Sequence, residues 1–123
     1  MSRHYTCLIR THHITSRKKL HRVRHLAKQQ ALSSLLVRYG GPPGIMYAES
    51  DQLSPLEQWV SSVQALRYKD FNLAIKPAEM AREGHAVPGM GFWETETTEG
   101  FRAEMKRRGL EEWWKKGMGY NSR

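Results

Sequence analysis

Apolar residues recur along the chain at the spacing of strands and helices, and they predict its first two elements. The segment HYTCLIR, residues 4–10, mixes aromatic, β-branched and aliphatic side chains, which is typical of a strand. Ser16 is then a suitable N-cap for a helix that runs to about Leu32, because apolar positions repeat on one helical face. These positions are Leu20, Val23, Ala27 and Ala31.

Two short apolar runs in the middle of the chain predict a β-hairpin. They are LLVRY at 35–39 and IMYAES at 45–50, and the GGPPG between them is a strong turn signal. A second helix follows. Its start is indicated by Ser54 as an N-cap, Pro55 at the first helical position and Glu57 as the partner in a capping box.

The order of these elements predicts the fold. Residues 68–76, YKDFNLAIK, alternate in hydrophobicity and supply a further strand, which gives the order β-α-β-β-α-β over residues 1–76. That order is typical of the ferredoxin-like sandwich, an α+β fold in which two helices cover one face of an antiparallel sheet. We therefore expect residues 1–123 to form a single domain built on this core.

The C-terminal third predicts a helical extension of the same domain. Residues 77–90 have the composition of a connection, and residues 92–95 are suited to one more short strand. Two helices follow, and we expect the aromatic side chains of the second to pack on the core. The marker residues are Thr97 or Thr98 as the cap, Gly109 as the stop, and Trp113 and Trp114 as the aromatic anchors.

Composition bounds the class of protein and its compartment. A chain of 123 residues is the size of one domain, and a single cysteine, Cys7, cannot form an internal disulfide. We therefore expect an intracellular protein of the nucleus or cytoplasm. No apolar run reaches the roughly 18 residues of a membrane span, so no membrane partner is expected. The basic, acid-free N-terminus leaves a mitochondrial location as an alternative.

Charge is distributed unevenly along the chain, and this predicts an anionic partner. The formal net charge is +8, yet the first acidic residue is Glu49. Nine Lys and Arg residues precede Glu49, whereas the remaining eleven lie after it together with the other acidic residues. Such an asymmetry is typical of proteins that bind a negatively charged polymer or surface.

The segment RTHHITSRKKLHRVRH, residues 10–25, raises the question of a metal or catalytic site. His12 and His13 are adjacent, so a strand would point them to opposite faces, and no second cysteine joins Cys7 in a zinc spacing. The H-x-T tripeptide at His13 lacks the second copy that a two-histidine phosphoesterase needs. No nucleophile motif or phosphate-binding glycine loop is present. We expect no catalytic site, no metal and no cofactor.

Two functions fit the basic helix that this segment begins. One is RNA binding, in which cations contact phosphates and a ferredoxin-like sheet stacks bases on exposed aromatic side chains. The other is protein interaction, in which the same helix meets an acidic partner. The predicted RNA contacts are His13, Arg17, Lys18, Arg22 and Lys28, with Arg102, Lys106 and Arg107 of the late helix as an extension of the basic surface.

Several segments together resemble one known domain family. HHITSRKK before an amphipathic helix, LLVRYGGPPGIMYAES as a hairpin, LRYKDF after the second helix and GFWETETTEGFRAEMKRRGLEEWWKK near the end occur in this order. Over nearly its whole length the chain is similar to the C-terminal domain of the pre-mRNA-processing factor three group. That domain also follows an RWD domain in small eukaryotic proteins. The aromatic strand, helix, glycine and aromatic pair that end the family pattern correspond here to Phe92, Phe101, Gly109, Trp113 and Trp114.

The resemblance implies both a fold and a function. The splicing factor's domain is ferredoxin-like with added C-terminal elements, and it binds small nuclear RNA without catalysing a reaction. We therefore expect a non-enzymatic RNA-binding module connected to pre-mRNA splicing, with RNA on the start of the first helix and on the C-terminal helices. The HHI-S-x-K segment is closer to the RWD-associated branch, for which an adaptor that binds an acidic protein is the alternative.

Overall fold

The computed structural model describes residues 3–80 and 91–120, which form five strands and four helices. In chain order the elements are β1 (His4–Thr11), α1 (Arg17–Gln29), β2 (Ser34–Arg38), β3 (Gly44–Ser50), α2 (Leu53–Gln64), β4 (Asn72–Met80), β5 (Gly91–Thr95), α3 (Thr98–Arg107) and α4 (Glu111–Met118). Of the helices in these ranges, none has both the length and the apolar character that crossing a lipid bilayer requires.

The strands form one mixed sheet in the order β4-β1-β3-β2-β5. β1 pairs antiparallel with β3 and β4, β3 pairs antiparallel with β2, and β5 pairs parallel to β2. The α+β class predicted from the sequence is confirmed. The sheet is nevertheless mixed and five-stranded rather than purely antiparallel, because the short strand predicted at 92–95 joins it beside β2.

Helices α1 and α2 cover one face of the sheet. Leu20, Val23 and Ala27 are the buried positions of α1, and they pack on β1, β2 and β3 together with the apolar side of α2. The indole N–H of Trp59 donates a hydrogen bond to the carbonyl oxygen of Val23 at 3.2 Å, which joins the two helices inside this layer. Three of the four apolar positions predicted for α1 therefore face the sheet, and Ala31 is the exception.

Helices α3 and α4 cover the opposite face. Phe101 of α3 and Trp114 of α4 pack against Tyr47 of the sheet, and all three side chains are buried. Trp113 meets the Tyr47 ring edge-on at 5.6 Å between ring centroids. The sheet of the described residues is therefore enclosed by helices on both faces, whereas the sequence predicted a two-helix layer with an extension.

The predicted start of α1 is confirmed, but its predicted end is wrong. The Ser16 hydroxyl accepts a hydrogen bond from the backbone N–H of Lys19 at 3.1 Å. At the other end, Ala31 adopts a left-handed conformation with φ 54°. The N–H of Leu32 then bonds to the carbonyl of Ala27 at 3.1 Å. This is the geometry of a Schellman cap, so Ala31 is outside the helix and exposed.

Two other predicted boundaries also differ from the structure. Helix α2 begins at Leu53 with Gln52 as N-cap, so Ser54 is inside the first turn and makes no capping box. Pro55 tolerates this shift because the first-turn N–H groups have no partner in the helix. The strand predicted at 68–76 is β4 at Asn72–Met80, since positive φ values at Arg67 and Asp70 turn the chain first. The predicted core boundary at residue 76 therefore falls inside β4, and the rest of the predicted connection, 81–90, lies outside the described residues.

Candidate nucleic-acid interface

Helix α1 carries six Lys and Arg residues and no acidic residue. Its three buried positions face the sheet, which leaves most of the cations on the outer side of the helix. The predicted contacts on this helix are therefore brought together on one surface. The exposed cations of α1 are Arg17, Lys18, Arg22, Arg24 and Lys28, and we call them the basic face.

One flank of the basic face lies along β5. The guanidinium of Arg24 sits over the ring of Phe92, 4.5 Å from its centroid. Near the start of the helix, Arg17 donates a hydrogen bond to Glu94 at 2.6 Å and lies over the ring of Tyr39 at 3.8 Å. The parallel pairing of β5 with β2 is what places both Phe92 and Glu94 beside this helix.

Arg17 differs from the other cations of the basic face. Its ion pair with Glu94 compensates part of its charge, and the hydrogen bond with that carboxylate raises the pKa of the guanidinium. Within the described residues, Lys18, Arg22, Arg24 and Lys28 have no acidic side chain within ion-pair distance. Four of the five cations of the basic face are therefore available to an external anion.

The opposite flank of α1 is anchored beside the end of α2. Lys19 is half-buried, and its ammonium group lies 5.0 Å from the centroid of the Tyr68 ring. The same ammonium donates to the carbonyl oxygen of Arg67 at 3.4 Å. Lys19 therefore contributes to the attachment of the helix, and it was not among the predicted contacts.

His13 lies in the loop between β1 and α1, and its side chain is exposed. Its ring centroid is 5.0 Å from that of His12, so the prediction that the two rings point to opposite faces is wrong. The reason is that β1 ends at Thr11, and strand alternation no longer applies. No group of three or more His, Cys, Asp or Glu side chains suited to a metal ion occurs in residues 3–80 and 91–120. His13 lies four positions before Arg17, the first cation of the basic face.

The cations of α3 do not extend the basic face. α3 packs on the other side of the sheet, so Arg102, Lys106 and Arg107 are separated from α1 by the whole sheet. Arg102 is paired with Glu111 at 2.6 Å, and Arg107 is paired with Glu104 at 2.7 Å. The predicted continuation of one basic surface onto the late helix is therefore wrong, because the extension covers the opposite layer.

The sheet also offers no open aromatic surface among the described residues. Its face away from α1 is the one that α3 and α4 cover, and Tyr47 at its centre is fully buried. Base stacking on the flat face of the sheet, which the sequence suggested, is therefore blocked by these helices. Phe92 is a half-buried aromatic residue of the edge strand β5, and it lies beside the basic face.

Arg24 and Phe92 were missed as site residues from the sequence. Arg24 follows Arg17 by seven positions and precedes Lys28 by four, so all three share one side of a helix. That spacing is visible in the sequence and could have identified Arg24. Phe92 carries no such signal, because its contact with α1 depends on where β5 joins the sheet.

Cys7 has the environment of a structural core residue. It is fully buried in β1, and burial raises the pKa of its thiol to about 12. The thiolate is the nucleophilic form of cysteine, so this side chain is held in its unreactive form at neutral pH.

No protein-family model matches the chain, and no curated protein matches it significantly. The candidate function therefore follows from the geometry and charge of α1 and its surroundings.

Proposed function

We propose that this chain is a non-enzymatic RNA-binding domain whose basic face holds the phosphates of the RNA backbone. The observation that carries the proposal is the set of four α1 cations without an acidic partner among the described residues, on a helix that has no acidic residue itself. Lys18 and Lys28 are ten positions apart, which is about 15 Å along a helix axis. Cations spread over that length suit a polymer of phosphates better than a single anion.

The family and the finer topology form part of this proposal. We infer that β1 to β4 with α1 and α2 constitute a ferredoxin-like core to which β5, α3 and α4 are added. Support comes from the antiparallel order β4-β1-β3-β2 within the larger sheet. The resemblance to the pre-mRNA-processing factor three domain agrees with this reading, and it favours an RNA ligand connected to splicing in the nucleus.

Titration of RNA at several salt concentrations tests the proposal. A short labelled single-stranded RNA would be titrated between about 50 and about 300 mM salt, and log affinity plotted against log salt. A variant with Lys18→Ala, Arg22→Ala and Lys28→Ala should bind more weakly. Its slope should be flatter by about 2, because each lost contact with single-stranded phosphate contributes about 0.7.

A matched control comes from the opposite face. The control is a triple variant with Arg102→Ala, Lys106→Ala and Arg107→Ala, which removes the same net charge from α3. Its salt slope should flatten by no more than half as much as the slope of the α1 variant. Equal effects of the two variants would show that RNA responds to net charge and not to the basic face. If the protein binds an acidic polypeptide through α1 but binds RNA only weakly, the adaptor function replaces the RNA-binding one.

A further inference from the structure

A cleft of about 270 Å³ opens between α1 and the sheet edge where β2 and β5 pair. Its volume is just below that of pockets that hold drug-sized ligands, which span about 300 to 1,000 Å³. It is therefore suited to one flat ring system rather than to a base pair or a long chain. We call it the α1–β5 slot, and its main lining residues are Arg24, Ala27, Lys28, Leu32, Leu35 and Phe92.

The walls of the slot combine a planar stack with an apolar floor. Arg24 Cζ lies 4.5 Å from the centroid of the Phe92 ring, so two flat groups of the lining are in contact. A guanidinium plane and an aromatic ring are both surfaces on which nucleobases stack. The floor is apolar because Ala27 and Leu35 are buried members of the core. A flat, partly apolar ring is the ligand that this lining recognises.

The positive side chains around the slot favour a ligand whose ring carries an attached anion. Lys28 and Arg24 line the slot, and neither has an acidic side chain within ion-pair distance in the described ranges. A second, smaller concavity adjoins it toward the start of α1 and shares Arg24 and Phe92; it also includes His21 and the ion pair of Arg17 with Glu94. Basic groups therefore continue along the helix on one side of the slot.

We propose that the α1–β5 slot takes one unstacked nucleobase of a single-stranded RNA, with Arg24 and Phe92 as its stacking surface and Lys28 on an adjacent phosphate. This inference rests on the proposed RNA-binding function and names the kind of RNA that is bound. A-form duplex keeps its bases paired inside the helix, so it cannot supply such a base. The slot thus selects single strands, whereas the basic face alone would accept either form.

The test compares octauridine with an abasic strand that has the same number of phosphates. Phe92→Leu keeps an apolar side chain and removes the aromatic ring, while Arg24→Lys keeps the charge and removes the planar group. Each variant should bind octauridine about 5- to 100-fold more weakly, the range for the loss of one stacked base. Neither should change the affinity for the abasic strand by more than about twofold, since the charges remain.

Two control variants carry the same Phe→Leu and Arg→Lys changes at positions outside the slot. Phe71→Leu changes another half-buried aromatic residue of the same core, and Arg67→Lys changes an exposed cation between α2 and β4 that does not line the slot. Both should bind octauridine as the unchanged protein does. Circular dichroism melting verifies folding, and Arg24→Lys carries the test if Phe92→Leu unfolds the domain.

The outcomes separate the slot from the proposed function. If octauridine and the abasic strand bind equally well, and the α1 triple variant still flattens the salt slope, the slot is refuted and RNA binding stands. If the triple variant changes the binding of neither strand, both proposals fail. Uridine monophosphate that binds as tightly as octauridine would make the slot a mononucleotide site and overturn the inference about a strand.

Discussion

Gly44 is a position where the structure leaves no room for a side chain. It begins β3, and a Cβ atom built there would collide with Thr11 Oγ1 and lie 2.7 Å from Ile14 Cγ1. It would also lie 3.0 Å from the backbone carbonyl carbon of His13. The contact with backbone matters most, because a main-chain atom cannot rotate away as a side chain can. Gly44→Ala must therefore displace the segment that leads into α1.

The magnitude follows from the packing around that segment. Overfilling a close-packed site costs about 1 to 3 kcal/mol. Displacement also strains the two backbone hydrogen bonds between Ile14 and Gly40, which are 3.1 and 2.7 Å long. We expect Gly44→Ala to lower the free energy of unfolding by about 2 kcal/mol. For a domain of this size the melting temperature should fall by about 8 °C.

Gly41→Ala is the matched control in the same loop. A Cβ at Gly41 meets no atom of the described residues within 4 Å, and its φ lies outside the left-handed region. The loss of unfolded-chain entropy should leave this variant as stable as the unchanged protein, or more stable by up to about 1 kcal/mol. Thermal melting followed by far-ultraviolet circular dichroism measures both. Melting temperatures of the two variants within about 2 °C of each other would refute the argument from steric overlap.

Two further predictions concern the ion pairs of α3. Arg108 is buried and donates to Glu104 at 2.8 Å and to Ser34 at 2.9 Å, so Arg108→Met should cost about 3 kcal/mol in urea unfolding. Arg107→Met, at an exposed partner of the same carboxylate, should cost less than about 1 kcal/mol, and equal costs would contradict this difference in burial. Burial opposes ionisation of Glu104, but hydrogen bonds from Arg107 and Arg108 lower its pKa overall. A lowered pKa in the folded state stabilises the protein above the ordinary glutamate pKa, and this stability is lost as pH falls through the lowered value. Glu104→Gln should therefore melt below the unchanged protein at pH 7 and approach it at about pH 3, and a constant difference between those pH values would argue against the linkage.

Local signals in the sequence were sufficient for the existence and order of the elements. The Ser16 cap predicted for α1 is present, and the Thr97 hydroxyl accepts a hydrogen bond from Gly100 N–H at 2.9 Å at the start of α3. Each cap is a contact between residues three positions apart, so both partners can be identified from one short stretch of sequence. The same holds for the periodicity of the apolar positions, which depends on the backbone geometry of each element and not on the rest of the chain.

Boundaries were predicted less well where the backbone departs from what residue type favours. Ala31, Arg67 and Asp70 all have positive φ, although none of them is a glycine. Alanine and arginine seldom adopt this conformation, so composition does not reveal these turns. This is why α1 ended earlier and β4 began later than the sequence predicted.

For the candidate site, the sequence determined that α1 is basic, acid-free and amphipathic, because charge and helical spacing can be read directly from residues 17–29. Only the tertiary structure decided which of its cations are available and what lies beside them. Glu94 is 77 positions from Arg17, and Phe92 reaches Arg24 because β5 pairs parallel to β2. The cations of α3 were assigned to the wrong face for the same reason. Strand order and the layer that each helix covers follow from packing between distant segments, and no local pattern encodes them.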